Sequence, residues 1–87
     1  MMAKILEAMA YGIPVVTTTE GIEGVSAQDS VHAFITDDDD LFAERVVQLL
    51  DDRPLRRKLR HNARKLIEEQ YSPRPAVAAL ERVYNTL

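Results

Sequence analysis

The sequence predicts an α/β fold in which two parallel strands are flanked by about four helices. Residues 2–13 are apolar at helical spacing, and residues 15–18 form a continuous β-branched run. A second apolar run at 31–36 is followed by three more helical patterns. Continuous apolar strands, rather than alternating ones, are typical of parallel sheets that are covered on both faces.

The opening helix is predicted from a stripe of apolar side chains three or four positions apart. The stripe consists of Met2, Ile5, Leu6, Met9 and Ile13. Gly12 suits a left-handed helix cap, and Pro14 prevents the helix from resuming before the strand at 15–18. Glu7 falls nearly opposite the stripe, on the side of Lys4 and Tyr11. From the pattern alone we interpret Glu7 as a solvated carboxylate that pairs with Lys4 or fills space beside Ala3 and Ala10.

The chain after the first strand is predicted in four segments. A polar crossover at 19–30 holds one helical turn near 22–25, and a second strand at 31–36 lies parallel and adjacent to the first. A helix over 39–51 has a core face of Leu41, Phe42, Val46, Leu49 and Leu50. A helix over 54–70 buries Leu55, Leu59, Ala63, Leu66 and Ile67. A last helix over 73–86 begins after a break at Tyr71 and has its own apolar side.

Three polar features carry both a structural and a functional interpretation. The run Asp37–Asp38–Asp39–Asp40 suits a helix N-terminus better than a cation site, because the spacing of a calcium loop is missing. His32, placed on the second strand, is interpreted as structural. The helix over 54–70 is strongly basic, and its solvated face is favoured over contact with anionic lipid or an acidic partner. Its basic side chains are Arg53, Arg56, Arg57, Lys58, Arg60, Arg64 and Lys65.

Composition limits the other possibilities. The chain has 87 residues, a net charge of −3 and no cysteine. We therefore expect one domain at most, no metal site, no cofactor and no nucleic-acid partner. No stretch reaches the roughly 20 apolar residues of a membrane span, so we expect a cytoplasmic protein with at most peripheral membrane contact.

Several stretches occur in an order that resembles a known family. They are KILEAMA at 4–10 followed by Gly12, PVVT at 14–17, EGIEGV at 20–25, LLDD at 49–52, and EQYS at 69–72. Leu55–Arg56 and Ala63–Arg64 fit the same pattern. This series resembles the C-terminal part of family 4 glycosyltransferases, which are retaining enzymes with two Rossmann-like domains in the GT-B architecture. The resemblance extends over essentially the whole chain.

The resemblance implies a role in binding a nucleotide sugar of the UDP or GDP type. In such enzymes the Glu that corresponds to Glu7 binds the ribose hydroxyls. Lys4 either approaches a phosphate at the helix N-terminus or is simply an exposed charge. Part of the crossover at 19–30 would lie near the active-site cleft, or it would be a plain connector. The family's second Glu, its Gly-rich loop and its N-terminal domain are not found in this sequence. We therefore expect residues 1–87 to be one partial domain with no catalytic residue and no turnover of its own.

Two alternatives remain at this stage, a weak nucleotide-binding module and a non-catalytic oligomeric fragment. A parallel sheet of two strands is too small to stand alone, and its open edge is a template for pairing. We therefore expect a homo-oligomer, formed either by joining strand edges or by exchanging helices.

Overall fold

The computed structural model describes residues 2–71, which form three helices and two strands. In chain order these are α1 (Met2–Ala10), β1 (Val16–Thr17), β2 (Phe34–Ile35), α2 (Asp39–Asp51) and α3 (Arg53–Gln70). The strands are parallel and adjacent, with Val16 opposite Phe34 and Thr17 opposite Ile35. The predicted α/β class with two parallel strands is confirmed. The helix predicted over 73–86 lies outside the described residues.

Helix α1 ends through the glycine cap that the sequence predicts. Gly12 has a φ of +75°, in the left-handed region that favours glycine. The Gly12 N–H donates to the Met9 carbonyl at 3.2 Å, and the Ile13 N–H donates to the Ala8 carbonyl at 2.9 Å. This pair of bonds satisfies two of the last helical carbonyls and turns the chain towards β1.

The two faces of the sheet are covered by separate apolar clusters. Alternate residues of a strand point to opposite faces, so Val15 and Ala33 enter one cluster while Val16 and Phe34 enter the other. The first cluster contains Ile5, Met9, Val15, Ile22, Val25, Ala33, Ala63, Leu66 and Ile67. The second contains Phe34, Leu49 and Leu59, with Val16 and Leu55 packed against it. The strands are therefore covered on both faces, as their continuous apolar pattern indicates.

Helix α3 contributes to both clusters and is joined to α2 without a loop. Asp52 is both the C-cap of α2 and the N-cap of α3, and its Oδ1 accepts a hydrogen bond from the Leu55 N–H at 2.9 Å. Arg56 Nη1 donates to the carbonyls of Leu49 and Leu50 at 2.6 and 3.0 Å. These bonds satisfy backbone groups on both sides of the joint and fix the angle between the helices.

Both strands are shorter than predicted. The strand expected over 31–36 is regular only at Phe34–Ile35, because residues 30–32 form a turn. Ser30 has a positive φ of 65°, and the N–H groups of Val31 and His32 both donate to the Gln28 carbonyl. His32 therefore lies in a turn before the strand, and its placement on the strand was wrong.

Four residues predicted to be buried are exposed. Met2 is the first residue of α1. Ile13 lies beyond the end of α1 and leaves the helical stripe because it follows the left-handed Gly12. On α2, Val46 is 37% exposed and Leu50 is 72% exposed. These two side chains line a groove of about 330 Å³ beside β1, which the described residues leave open. The core face predicted for α2 is confirmed only for the buried Leu49 and the half-buried Leu41 and Phe42.

Candidate functional site

The start of α1 and the ends of both strands lie at the same side of the molecule. Helix α1 ends where the chain turns into the beginning of β1, so its N-terminal half lies towards the carboxyl ends of the strands. The connection after β1 confirms this placement, because a Cβ on Gly24 would lie 3.0 Å from Met2 Sδ. Ligands of parallel α/β sheets bind outside the carboxyl ends of the strands. This side of the molecule is therefore the candidate site.

Glu7 lies on α1 away from the buried Ile5 and Met9, as its position in the sequence predicts, and it is half-buried. Within residues 2–71 its carboxylate forms no hydrogen bond and no ion pair. Lys4 is one turn earlier and exposed, and it does not form the ion pair with Glu7 that the pattern suggested. The helix therefore fixes the position of the Glu7 backbone, and both carboxylate oxygens keep their capacity to accept hydrogen bonds.

The carboxyl ends of the two strands are joined by a pair of hydrogen bonds from Thr19 to Asp37. The Thr19 hydroxyl donates to Asp37 Oδ2 at 2.6 Å, and the Thr19 N–H donates to Oδ1 at 2.9 Å. These bonds, that from the hydroxyl first, hold the pKa of Asp37 below its ordinary value of 3.8. We call this pair of hydrogen bonds the Thr19–Asp37 clamp. It fixes the point at which the crossover leaves β1.

The crossover folds back over the strand ends in a series of tight turns. The Gly21 N–H donates to the Thr18 hydroxyl at 3.0 Å, and a Cβ on Gly21 would collide with the Thr17 hydroxyl. The turn predicted near 22–25 is present, with the Val25 N–H donating to the Ile22 carbonyl at 2.9 Å. Both of these apolar side chains are buried, so the turn is anchored in the core.

Tyr71 ties the far end of this crossover to the end of α3. Its hydroxyl accepts from the Ser26 N–H at 3.0 Å and lies 3.4 Å from the Gly24 carbonyl, to which it donates. A single phenol therefore satisfies a donor and an acceptor of the loop that also contacts the start of α1. Tyr71 acts on the candidate site through the position of this loop.

His32 and the acidic run have the structural roles that the sequence predicts. His32 Nδ1 accepts from the Gln28 N–H at 2.9 Å, and burial lowers the pKa of the imidazole below its ordinary value of 6.5. Asp38 caps α2, where its Oδ1 accepts from the Leu41 N–H at 2.8 Å. Among the residues from 2 to 71, no group of His, Asp and Glu side chains is arranged to hold a metal ion.

Sequence reasoning missed the Thr19–Asp37 clamp and the contacts of Tyr71. The clamp had a signal, because the register that pairs Thr17 with Ile35 places Thr19 beside Asp37 when it is continued past the strands. The contacts of Tyr71 had none, since they join segments 45 and 47 residues apart.

Comparison with known proteins identifies the family. Residues 3–66 match the family described as glycosyl transferases group 1. This match covers most of the chain, which therefore belongs to the group 1 glycosyl transferases. The resemblance expected from the sequence is confirmed at this level.

The chain is also similar to a curated protein, the capsular polysaccharide biosynthesis glycosyltransferase CapM of Staphylococcus aureus. The two are 35% identical over 85 residues, which cover 93% of this chain and 22% of that relative. No solved structure matches the chain. No helix within residues 2–71 is long and apolar enough to cross a membrane.

We predict that Asp37→Asn removes a part of the pH dependence of stability. Because the pKa of Asp37 is lowered on folding, the unfolded state binds more protons just below pH 3.8. The stabilisation is present above that pH and is lost as the pH falls through the folded pKa. Chemical unfolding of parent and variant across this range should show a loss in the parent that the variant lacks. Asp51→Asn, at an exposed position on α2, should behave as the parent, and an unchanged pH profile in Asp37→Asn would contradict the clamp.

We predict that Tyr71→Phe loosens the crossover without unfolding the protein. Loss of one hydrogen bond should raise hydrogen exchange of the Ser26 amide by about 2- to 10-fold. The Ile35 amide is the internal control, because it donates to Asp29 Oδ1 at 2.8 Å, independently of Tyr71. Equal acceleration at both amides would indicate general destabilisation rather than a local clamp.

Proposed function

We propose that the chain is the donor-nucleotide part of a retaining family 4 glycosyltransferase with the GT-B architecture. Residues 1–87 would form one part of its nucleotide-sugar-binding domain, and the complete cytoplasmic enzyme would transfer the sugar to an acceptor. Family membership supports the sugar-transfer activity. The observation that carries the proposal for this chain is the half-buried Glu7, which has no hydrogen-bond or ion-pair partner among residues 2–71 and lies on the helix whose N-terminal half faces the carboxyl ends of the strands.

The chemistry of Glu7 suits a ribose. A carboxylate accepts two hydrogen bonds from a vicinal diol, and such charge-assisted bonds are stronger than neutral ones. Because Glu7 is part of a helix whose apolar side is anchored by Ile5 and Met9, its backbone position is fixed before a ligand binds. Lys4, nearer the positive end of the α1 dipole, is placed to approach the diphosphate of a UDP or GDP sugar.

We predict that Glu7→Gln weakens the binding of UDP or GDP by at least about tenfold, because one charge-assisted acceptor is replaced by a neutral one. Titration calorimetry with the nucleotide and its 2′-deoxy analogue measures this effect. The parent should prefer the ribonucleotide, and the variant should lose that preference. Glu44→Gln, at an exposed position on α2, is the matched control.

Three results would contradict the role of Glu7. One is an unchanged affinity in Glu7→Gln, and another is an equal loss in Glu44→Gln. A preference for the ribonucleotide that survives in Glu7→Gln would likewise assign the ribose to another residue.

We also propose that the chain associates with a second copy through the free edge of β1. The outer edge of β2 is protected, because the Ile35 N–H donates to the Asp29 carboxylate at 2.8 Å. On β1, the residues that bond β2 are Val15 and Thr17, so the N–H and carbonyl of Val16 point to the opposite edge. The two edges therefore differ, and only that of β1 offers unprotected strand groups within the described residues.

The surface next to this edge is apolar. The groove of about 330 Å³ is lined by Pro14, Val16, Phe42, Val46, Leu49, Leu50 and Arg56. Pairing of two β1 edges would make a four-stranded sheet and would place the grooves of the two copies beside each other. Burial of apolar side chains would then add to the backbone hydrogen bonds.

We predict that Leu50→Lys shifts the protein towards the monomer, because it places a charge in the apolar groove beside the pairing edge. Light scattering coupled to size exclusion, over a range of protein concentrations, gives the mass. Val47→Lys is the control, because Val47 is 56% exposed on α2 but lies outside that groove. A parent that is monomeric at every concentration, or an equal effect of the two variants, would contradict the proposal.

A further inference from the structure

One flank of α3 carries a straight row of arginines. Arg53, Arg57, Arg60 and Arg64 follow one another at intervals of four, three and four residues, which places them on one side of the helix. All four are exposed, and they lie beside the buried side of α3, with the stem of Arg60 close to Gly12. We call these four residues the basic strip. Arg56 is excluded, because it is half-buried and its guanidinium caps the end of α2.

The charges of the basic strip are not neutralised within residues 2–71. The one ion pair formed there joins Lys65 to Glu69 at 4.0 Å, outside the strip. The pairs Arg53–Arg57 and Arg60–Arg64 place like charges one turn apart, which disfavours the isolated helix. An anionic partner would remove this repulsion, whereas a face that serves only for solubility gains nothing from such an arrangement.

The rest of the molecule has the opposite charge. Helix α3 holds seven of the eleven Lys and Arg side chains, although the chain as a whole has a net charge of −3. Asp37, Asp38, Asp39 and Asp40 are all exposed. A partner that surrounds the protein would meet charges of both signs, but a flat partner can contact the basic strip alone. The charge distribution therefore favours a planar anionic surface over a long flexible polyanion.

The side chains of this face suit phosphate groups at a surface. Arginine binds phosphate through two parallel N–H donors, and the strip from Arg53 to Arg64 extends over roughly 17 Å of the helix. A second groove runs along the basic strip and is lined by Arg57, Arg60, His61, Arg64, Lys65 and Glu68. It contains no aromatic side chain on which a nucleic-acid base could stack and no apolar side chain that could insert between acyl chains. Contact would therefore be electrostatic and confined to the headgroups.

We propose that the basic strip of α3 is a docking surface for an anionic phospholipid bilayer, with the lipid phosphates as its ligands. The helix lies flat on the headgroups, and its charged row supplies the attraction. Because the contact is made between exposed charges, its strength falls as salt shortens the Debye length below the roughly 10 Å of 0.1 M solutions. The strip is separate from Glu7, so this proposal is independent of nucleotide binding.

Flotation of the full chain with phospholipid vesicles tests the proposal. The chain should bind vesicles that contain phosphatidylglycerol and should not bind vesicles of phosphatidylcholine alone. Arg57→Gln/Arg64→Gln should weaken binding to the anionic vesicles by on the order of tenfold or more. Lys4→Gln/Lys58→Gln is the matched control, because it changes the net charge equally, at exposed positions outside the strip. Circular dichroism of each variant shows that helix content is retained.

Three outcomes would overturn the proposal. The first is no binding of the parent to anionic vesicles at low salt. The second is an equal loss in both double variants, which would indicate a general charge effect. The third is tighter binding to an RNA or DNA duplex than to anionic vesicles at the same salt concentration, which would assign the strip to a different class of partner.

Discussion

The fold depends on the apolar stripe of α3, because this one helix closes the core on both faces of the sheet. Ala63, Leu66 and Ile67 pack with α1 and the crossover, while Leu59 packs with Phe34 and Leu49 on the other face. Two strands of two residues each could not bury enough surface without such a shared element. The positions of α1, and hence of Glu7, follow from contact with this helix. The candidate site and the basic strip thus depend on the same helix.

Polar contacts fix the positions of the loops, which the apolar core alone does not hold. The Thr19–Asp37 clamp joins the strand ends, Tyr71 holds the crossover, and Asn62 Nδ2 donates to the Val31 carbonyl at 2.9 Å. Each bond involves a loop backbone group or a side chain just beyond a strand. Because the sheet is so short, these contacts hold the strand ends and loops in position, as additional backbone hydrogen bonds between strands do in larger sheets. They surround the candidate site on the side of the crossover, and Glu7 itself takes no part in them.

The local sequence pattern was sufficient to predict the helices and strands, but not which of their side chains are covered by the rest of the fold. The bounds of α2, the glycine cap of α1 and the buried side of α3 were predicted, because each depends on residues within a few positions. The exposure of Leu50 and the turn at His32 were not, because they depend on which surfaces are covered and on a positive φ at Ser30. For the site, the sequence indicated Glu7 through family resemblance, and the structure adds that this side chain is half-buried without a hydrogen-bond partner among residues 2–71. The contacts of Tyr71 join distant segments and carry no local signal.

The joint at Asp52 has a consequence for how related chains can differ in length. Because one residue ends α2 and begins α3, adding a single residue there would rotate α3 by about 100° about its own axis. Lys58, Asn62 and Lys65 would then occupy the buried positions of Leu59, Ala63 and Leu66. Insertions at the joint are therefore incompatible with the fold, whereas the crossover between the strands can lengthen without changing the phase of either helix. Variation in length among relatives should therefore accumulate in the crossover, where it leaves the packing of the helices against the sheet intact.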